Sequence, residues 1–125
     1  MKLEYRNGLL FTNIEIIVND NRKIIDNIVV DTGAAQTVIS QECVDDIGIR
    51  FTGKEEIVTT YGIGGEEHAF VKEVDEIVIG DFKLKNYNID FAGFIYDDIN
   101  GLLGLDILMD GGFIIDLKDL TTKKK

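Results

Sequence analysis

The sequence predicts a mainly β domain with one or two short helices. Apolar and β-branched runs of strand length recur along the chain. Proline is absent, so 13 glycines, together with Asn and Asp, mark most of the turns between these runs. The length of 125 residues suits one domain, predicted here as residues 1–120, with residues 121–125 as a disordered tail.

The first part of the chain is predicted to form a hairpin. Leu9–Val18 mixes β-branched and apolar residues and is typical of a strand that ends at the turn-forming residues 19–21. Residues 23–30 return as a second strand, so the hairpin ends at Asp31. Residues 37–39 follow as a third, short strand.

A short helix is predicted over residues 41–47. Ser40 is a suitable N-cap and Gly48 is a suitable residue to end the helix. We interpret Cys43 as a small core residue, because a catalytic thiol needs a basic partner and His68 is the only histidine.

The second half of the chain alternates strands and turns. Asn86, Asn88 and Asp90 alternate with apolar residues, so one face of their strand is expected to be buried. The predicted elements are strands over 56–61 and 68–74 around a glycine-rich turn, and a hairpin of 75–79 and 84–91 with its turn at Gly80 and Asp81. An irregular loop over 94–98, a strand over 102–104, a helix over 105–109 and a strand over 113–117 follow.

The charge balance limits the classes of partner. The formal net charge is -10, from 23 acidic and 13 basic residues, which argues against nucleic acids and anionic membranes. No signal peptide is apparent, and no segment is long and apolar enough to cross a bilayer. The single cysteine cannot form an internal disulfide, so we expect a cytoplasmic protein.

One stretch carries the strongest chemical signal. The apolar residues 28–30 lead directly into Asp31, Thr32 and Gly33. A carboxylate at the end of a buried strand must be satisfied by its neighbours, and glycine allows a sharp turn and the close approach of a ligand. The same three residues also favour an ordinary strand-ending turn, so the motif alone leaves both interpretations open.

The surrounding sequence resembles the retropepsin-like aspartic proteases. Residues 31–39, Asp-Thr-Gly-Ala-Ala-Gln-Thr-Val-Ile, resemble the segment that carries the catalytic aspartate in that family. Residues 61–65, Tyr-Gly-Ile-Gly-Gly, are similar to the tip of the flap hairpin. Residues 99–108, Ile-Asn-Gly-Leu-Leu-Gly-Leu-Asp-Ile-Leu, are similar to the family's second hydrophobic-hydrophobic-Gly segment and the short helix after it.

The resemblance implies a fold and a site. The implied fold is a closed or partly open acid-protease β-barrel with a flap hairpin. The implied activity is that of an aspartic endopeptidase, which hydrolyses a peptide or protein substrate without a cofactor. The implied catalytic residues are Asp31, Thr32 and Gly33, and the implied substrate-binding residues are Ala34, Ala35, Gly62, Ile63, Gly64 and Ile99.

A complete site requires a second chain. Carboxylate-based peptide hydrolysis uses two carboxyl groups that share one proton. The other apolar-apolar-Asp string, residues 114–116, lacks the following hydroxyl and glycine. We therefore expect a homodimer in which Asp31 of each subunit contributes to one site.

The sequence offers no metal site and allows one alternative function. One histidine and one cysteine far apart do not form a zinc set, so no metal is expected. Ala35 and Gln36 stand where viral relatives often carry acidic residues, and Leu105 stands where they carry a basic residue. The alternative function is a catalytically silent retropepsin-like dimer that binds extended peptides.

Overall fold

The computed structural model describes residues 1–62, 65–93 and 98–124. These residues form ten strands, two 3₁₀ turns and one α-helix. In chain order the elements are β1 (Glu4–Arg6), β2 (Leu9–Val18), β3 (Asn21–Val30), β4 (Val38–Ser40), the 3₁₀ turns Gln41–Cys43 and Asp45–Ile47, β5 (Ile57–Gly62), β6 (Gly65–Ile79), β7 (Phe82–Ala92), β8 (Gly101–Leu103), α1 (Leu105–Asp110), β9 (Phe113–Asp116) and β10 (Thr121–Lys124).

Eight of the strands form one sheet that closes on itself. The order is β1-β2-β3-β8-β4-β7-β6-β5. An additional pairing places residues 15–17 of β2 opposite residues 76–78 of β6. The six strands β2, β3, β8, β4, β7 and β6 therefore form a closed ring. The mainly β fold predicted from the sequence is therefore confirmed.

The core lies inside this ring. Alternate residues of β2, namely Ile14, Ile16 and Val18, point inward, as the two-residue period of a strand requires. They pack with Ile89 and Phe91 of β7, which are fully buried. A second, smaller apolar cluster includes Val29, Ala34, Val38 and Leu102 and underlies the end of β3.

The pairing of β8 with its two neighbouring strands positions the end of β3. Strand β8 lies between β3, to which it is parallel, and β4, to which it is antiparallel. A Cβ atom on Gly101 would lie 2.7 Å from the carbonyl oxygen of Val38, so only glycine permits this close packing. The parallel pairing fixes Val30 beside Leu103 and thereby fixes where Asp31 leaves the sheet.

Two local predictions are wrong. Residues 41–47 form two 3₁₀ turns rather than one helix, and Ser40 makes no side-chain cap bond. Seven residues offer few i to i−4 bonds to offset the cost of helix nucleation, and Val44, at φ −120°, interrupts the run. The predicted end is right, since Gly48 adopts the left-handed conformation at φ 84°.

The last described residues, which the sequence analysis assigned to a tail, form a strand. Thr121–Lys124 forms β10, which pairs antiparallel with β9. The chain start lies beside it, because the Leu3 amide donates to the carbonyl of Leu120 at 2.8 Å and the Thr122 amide donates to that of Met1 at 2.8 Å. These non-local hydrogen bonds could not be inferred from a polar, lysine-rich segment.

The two predicted hairpins of the second half share one long strand. The predicted strands over 68–74 and 75–79 are continuous in β6, which pairs with β5 on one side and β7 on the other. The turn at Gly80 and Asp81 lies where it was predicted. The loop predicted over 94–98 falls mostly outside the described residues, as does Ile63 with Gly64.

Candidate active site

Asp31 lies at the carboxyl end of β3 and begins a tight turn. Its backbone amide donates to the carbonyl of Leu103 at 3.0 Å, which extends the parallel pairing by one residue. Its own carbonyl accepts from the Ala34 amide at 3.1 Å. The Gly33 amide donates to Asp31 Oδ1 at 2.9 Å, so the turn holds one carboxylate oxygen in place.

The second oxygen of the same carboxylate differs from the first in its hydrogen bonding. Asp31 Oδ2 is buried and accepts no hydrogen bond from any residue in the described parts of the chain. A buried carboxylate oxygen left unpaired costs about 1–3 kcal/mol or more. This oxygen therefore keeps unused acceptor capacity within the described residues.

A polar network fixes the loop after Asp31 to helix α1. The Thr37 hydroxyl donates to Asp106 Oδ1 at 2.7 Å and accepts from the Gly104 amide at 3.0 Å. Asp106 Oδ1 also accepts from the amides of Thr37 and Ile107, at 3.0 and 2.8 Å. Asp106 lies in the first turn of α1 and accepts from an amide of that turn, so its carboxylate is engaged within the fold.

The backbone of the loop also contacts α1 directly. The Leu105 amide donates to the Ala34 carbonyl at 2.8 Å, and the Asp106 amide donates to the Ala35 carbonyl at 3.2 Å. A Cβ atom on Gly104 would lie 2.7 Å from the Gln36 carbonyl oxygen and 2.8 Å from that of Ala34. Glycine is thus required where the loop and the start of α1 meet.

A cavity of about 450 Å³ lies between this loop and the β5–β6 hairpin. Gly33, Ala35 and Gln36 line one side of it. The strands contribute the rest of the lining, namely Val58, Thr59, Val71, Asn88 and Asp90. The cavity therefore joins the Asp31 loop to the hairpin that the sequence analysis identified as the flap.

The predicted site residues fall into three groups. Asp31, Thr32 and Gly33 share the turn, with Thr32 and Gly33 exposed. Ala35 faces the cavity, whereas Ala34 is 1% exposed and packs in the smaller core cluster together with partly buried Ile99. Gly62 ends β5 opposite Gly65, while Ile63 and Gly64 lie outside the described residues.

Three residues were not identified as part of the site from the sequence. The sequence predicts Thr37 only as part of a short strand and Asp106 only as part of the helix over 105–109. Asp90 was placed on the polar face of its strand, yet it is only 7% exposed. Alternation with Ile89 and Phe91 places Asp90 on the opposite face of the strand from the core, so the sequence carries no local signal for its burial.

Burial changes the acidity of Asp90. Desolvation is the main cause that raises the pKa of its carboxyl group to about 6, and the negative charges of Asp106 and Glu56 add to the effect. Asp90 is thus a carboxyl group with a raised pKa in the lining of the cavity. Groups with a shifted pKa in a cleft are candidates for a functional role.

Other chemistries find little support in the described structure. His68 is exposed and contacts Thr59 Oγ1 through Nδ1 at 3.3 Å. Within residues 1–62, 65–93 and 98–124, no group of three or more His, Cys, Asp or Glu side chains is arranged to hold a metal ion. Over the same residues, no helix is long and apolar enough to cross a membrane.

Comparisons with known proteins agree with this geometry. Residues 14–107 match the family model described as aspartyl protease. A retropepsin-like aspartic protease from Rickettsia conorii is similar in structure, with a TM-score of 0.67 and 28% sequence identity over 97% of this chain and 86% of that chain. Comparison with curated protein sequences gives no match. The resemblance and the fold predicted from the sequence are therefore confirmed.

Proposed function

Because this chain belongs to the aspartyl protease family, we propose that it is a homodimeric aspartic endopeptidase whose site combines Asp31 from both subunits. The observation that carries this proposal is Asp31 Oδ2, which is buried and accepts no hydrogen bond from any residue that the structure describes. The chain holds a single Asp-Thr-Gly sequence, so the second carboxyl group is supplied by a second copy.

The chemistry follows the known behaviour of aspartic-protease dyads. Two carboxyl groups in close contact do not both ionise readily, so the pair holds one proton. The ionised Asp31 takes a proton from water, whose oxygen attacks the substrate carbonyl carbon, and the protonated Asp31 of the other subunit donates to the carbonyl oxygen. When the C–N bond breaks, a proton passes to the nitrogen, and an amine and a carboxylic acid are released.

The neighbouring residues have supporting roles in this proposal. Thr32 is exposed beside Asp31 and can bond to the equivalent loop of the other subunit. Gly33 leaves room for the substrate backbone next to the carboxylate, since a Cβ atom there would lie 3.1 Å from Asp31 Oδ1. We assign Ile63 and its glycine neighbours to a flap that holds the substrate as an added strand.

We assign the subunit interface to the Asp31 loop and to β9. Within the described residues, β9 pairs only with β10, so its other edge is available to a second chain. Ile114 and Leu117 expose 47% and 67% of their surface next to this edge.

The free Cys43 and the absence of an internal disulfide agree with a reducing, cytoplasmic location.

The experiment is peptide-library digestion by wild type and by Asp31→Asn, read by mass spectrometry at several acidic to neutral pH values. The amide keeps the shape of the side chain but cannot act as a base, so we expect cleavage by wild type only. Asp81→Asn, a change of the same kind at an exposed turn, is the control and should keep wild-type activity.

A silent peptide-binding dimer is the competing outcome. A statine-type transition-state mimic binds far more tightly than a substrate peptide only if the dyad is functional. Cleavage that survives in Asp31→Asn would show that the site has been assigned to the wrong residue.

A further inference from the structure

Asp90 has a defined orientation that the proposed mechanism does not use. Along β7, Ile89 and Phe91 point into the core and are fully buried. Successive side chains of a strand point to opposite faces, so Asn88 and Asp90 share the other face. Both line the 450 Å³ cavity whose opposite wall is the loop that carries Gly33.

The carboxylate of Asp90 has no compensating positive charge among the described residues. No donor in the described parts of the chain makes a hydrogen bond to it, and the two charged groups that act on its pKa, Asp106 of α1 and Glu56 ahead of β5, are both acidic. The nearby Lys72 pairs with Glu55 at 3.3 Å instead. Ionised Asp90 is thus a buried anion that gains stability when a cation enters the cavity.

We propose that Asp90 determines specificity by binding the basic side chain of a Lys or Arg residue of the substrate in this cavity. The inference rests on the proposed peptidase function and names the substrate class of the same site. A basic side chain suits both parts of the lining. Its methylene stem can contact Val58 and Val71, and its charged end can donate to Asp90.

The expected preference is measurable. A hydrogen bond between charged groups in a desolvated site contributes enough to favour lysine over the uncharged norleucine by about tenfold to a hundredfold in kcat/KM. A glutamate at the same position should be rejected, because like charges would meet in a buried site.

The experiment compares peptides that differ only by lysine, norleucine or glutamate at one position, scanned across the cleaved sequence. The readout is the lysine-to-norleucine ratio of kcat/KM, in which the pH dependence of the Asp31 pair cancels. In wild type the ratio should rise as the pH increases through about 6, where Asp90 ionises. In Asp90→Asn the ratio should be near one at every pH.

Glu73→Gln is the matched control for charge. It removes one negative charge from an exposed position on the adjacent strand β6, opposite Asn88 and outside the cavity lining. A general effect of the acidic surface would lower the ratio equally in Glu73→Gln and Asp90→Asn. Under our inference only Asp90→Asn loses the preference, and equal loss in both variants would overturn it.

A binding measurement separates this inference from the proposed function. Calorimetry of the lysine and norleucine peptides with Asp31→Asn, and with Asp31→Asn combined with Asp90→Asn, needs no catalysis. Lysine-selective binding that depends on Asp90, without cleavage by wild type, would support the inference and refute the peptidase. Cleavage without a lysine preference would refute the inference alone, and absence of both binding and cleavage would refute both.

Discussion

Replacing Thr37 with valine tests whether the Thr37–Asp106 network holds the active-site loop. Thr37 is 1% exposed, and its hydroxyl donates to Asp106 and accepts from the buried Gly104 amide. Valine has the same branched outline but cannot form either hydrogen bond. The Asp106 carboxylate keeps two backbone donors, whereas the Gly104 amide loses its side-chain acceptor.

The magnitude follows from these two bonds. Leaving a buried amide unsatisfied costs about 1–3 kcal/mol, and a hydrogen bond to a charged group contributes about 1.5–3 kcal/mol. The gain from an extra buried methyl group offsets part of this loss, by about 1 kcal/mol. We therefore expect Thr37→Val to lower the free energy of unfolding by about 2–4 kcal/mol.

The assay is urea unfolding of wild type, Thr37→Val and Thr37→Ser at one fixed chain concentration. Serine keeps the hydroxyl and loses only a methyl group, so Thr37→Ser should lose about 1 kcal/mol. If Thr37→Val lies within about 0.5 kcal/mol of wild type, the range of an ordinary surface substitution, the network does not stabilise the loop.

Two further predictions concern packing and pH. Gly104→Ala would place a Cβ atom 2.7 Å from the Gln36 carbonyl oxygen and should destabilise the fold by about 1–3 kcal/mol or more, as measured by thermal unfolding. Gly93→Ala is the control and should be close to neutral, because a Cβ atom there meets no described atom within 4 Å. Asp90→Asn should stabilise the protein at neutral pH: the pKa of the folded carboxyl group rises from 3.8 to about 6, so its ionisation costs stability as the pH increases across that window. At about 1.4 kcal/mol per pKa unit, the gain in the free energy of unfolding has an upper bound of about 3 kcal/mol at pH 7.5 and should nearly vanish at pH 4. A gain of the same size at both pH values would show that the charge of Asp90 is not its cause.

The sequence was sufficient to predict the elements with strong local signals. The strand that leads into Asp31, the turn at Gly80 and the short helix after Gly104 all lie where the pattern placed them. In each case a β-branched run or a glycine decides the local conformation. The comparison with the retropepsin-like structure confirms the fold that these signals, with the motif resemblance, predicted.

The parts of the structure that the sequence did not indicate depend on distant contacts. β10 forms because Thr121–Lys124 pairs with β9 and with the chain start, and nothing in its composition indicates those partners. The role of Thr37 needs Asp106, 69 positions away in the sequence. The burial of Asp90 depends on which strands enclose β7, so period-two alternation alone assigned it to the polar face.

The central claim is that one active site needs Asp31 from two chains, and a mixing experiment tests it most directly. Wild type at constant concentration is incubated with increasing amounts of Asp31→Asn until subunits have exchanged, and the rate of peptide cleavage is measured. Asp81→Asn serves as the control additive. If each site needs both carboxyl groups, excess Asp31→Asn should suppress the activity of the wild-type chains by forming mixed dimers. If subunits exchange, as a tagged wild-type chain can verify, and wild-type activity is unchanged by excess Asp31→Asn, the two-chain site is wrong.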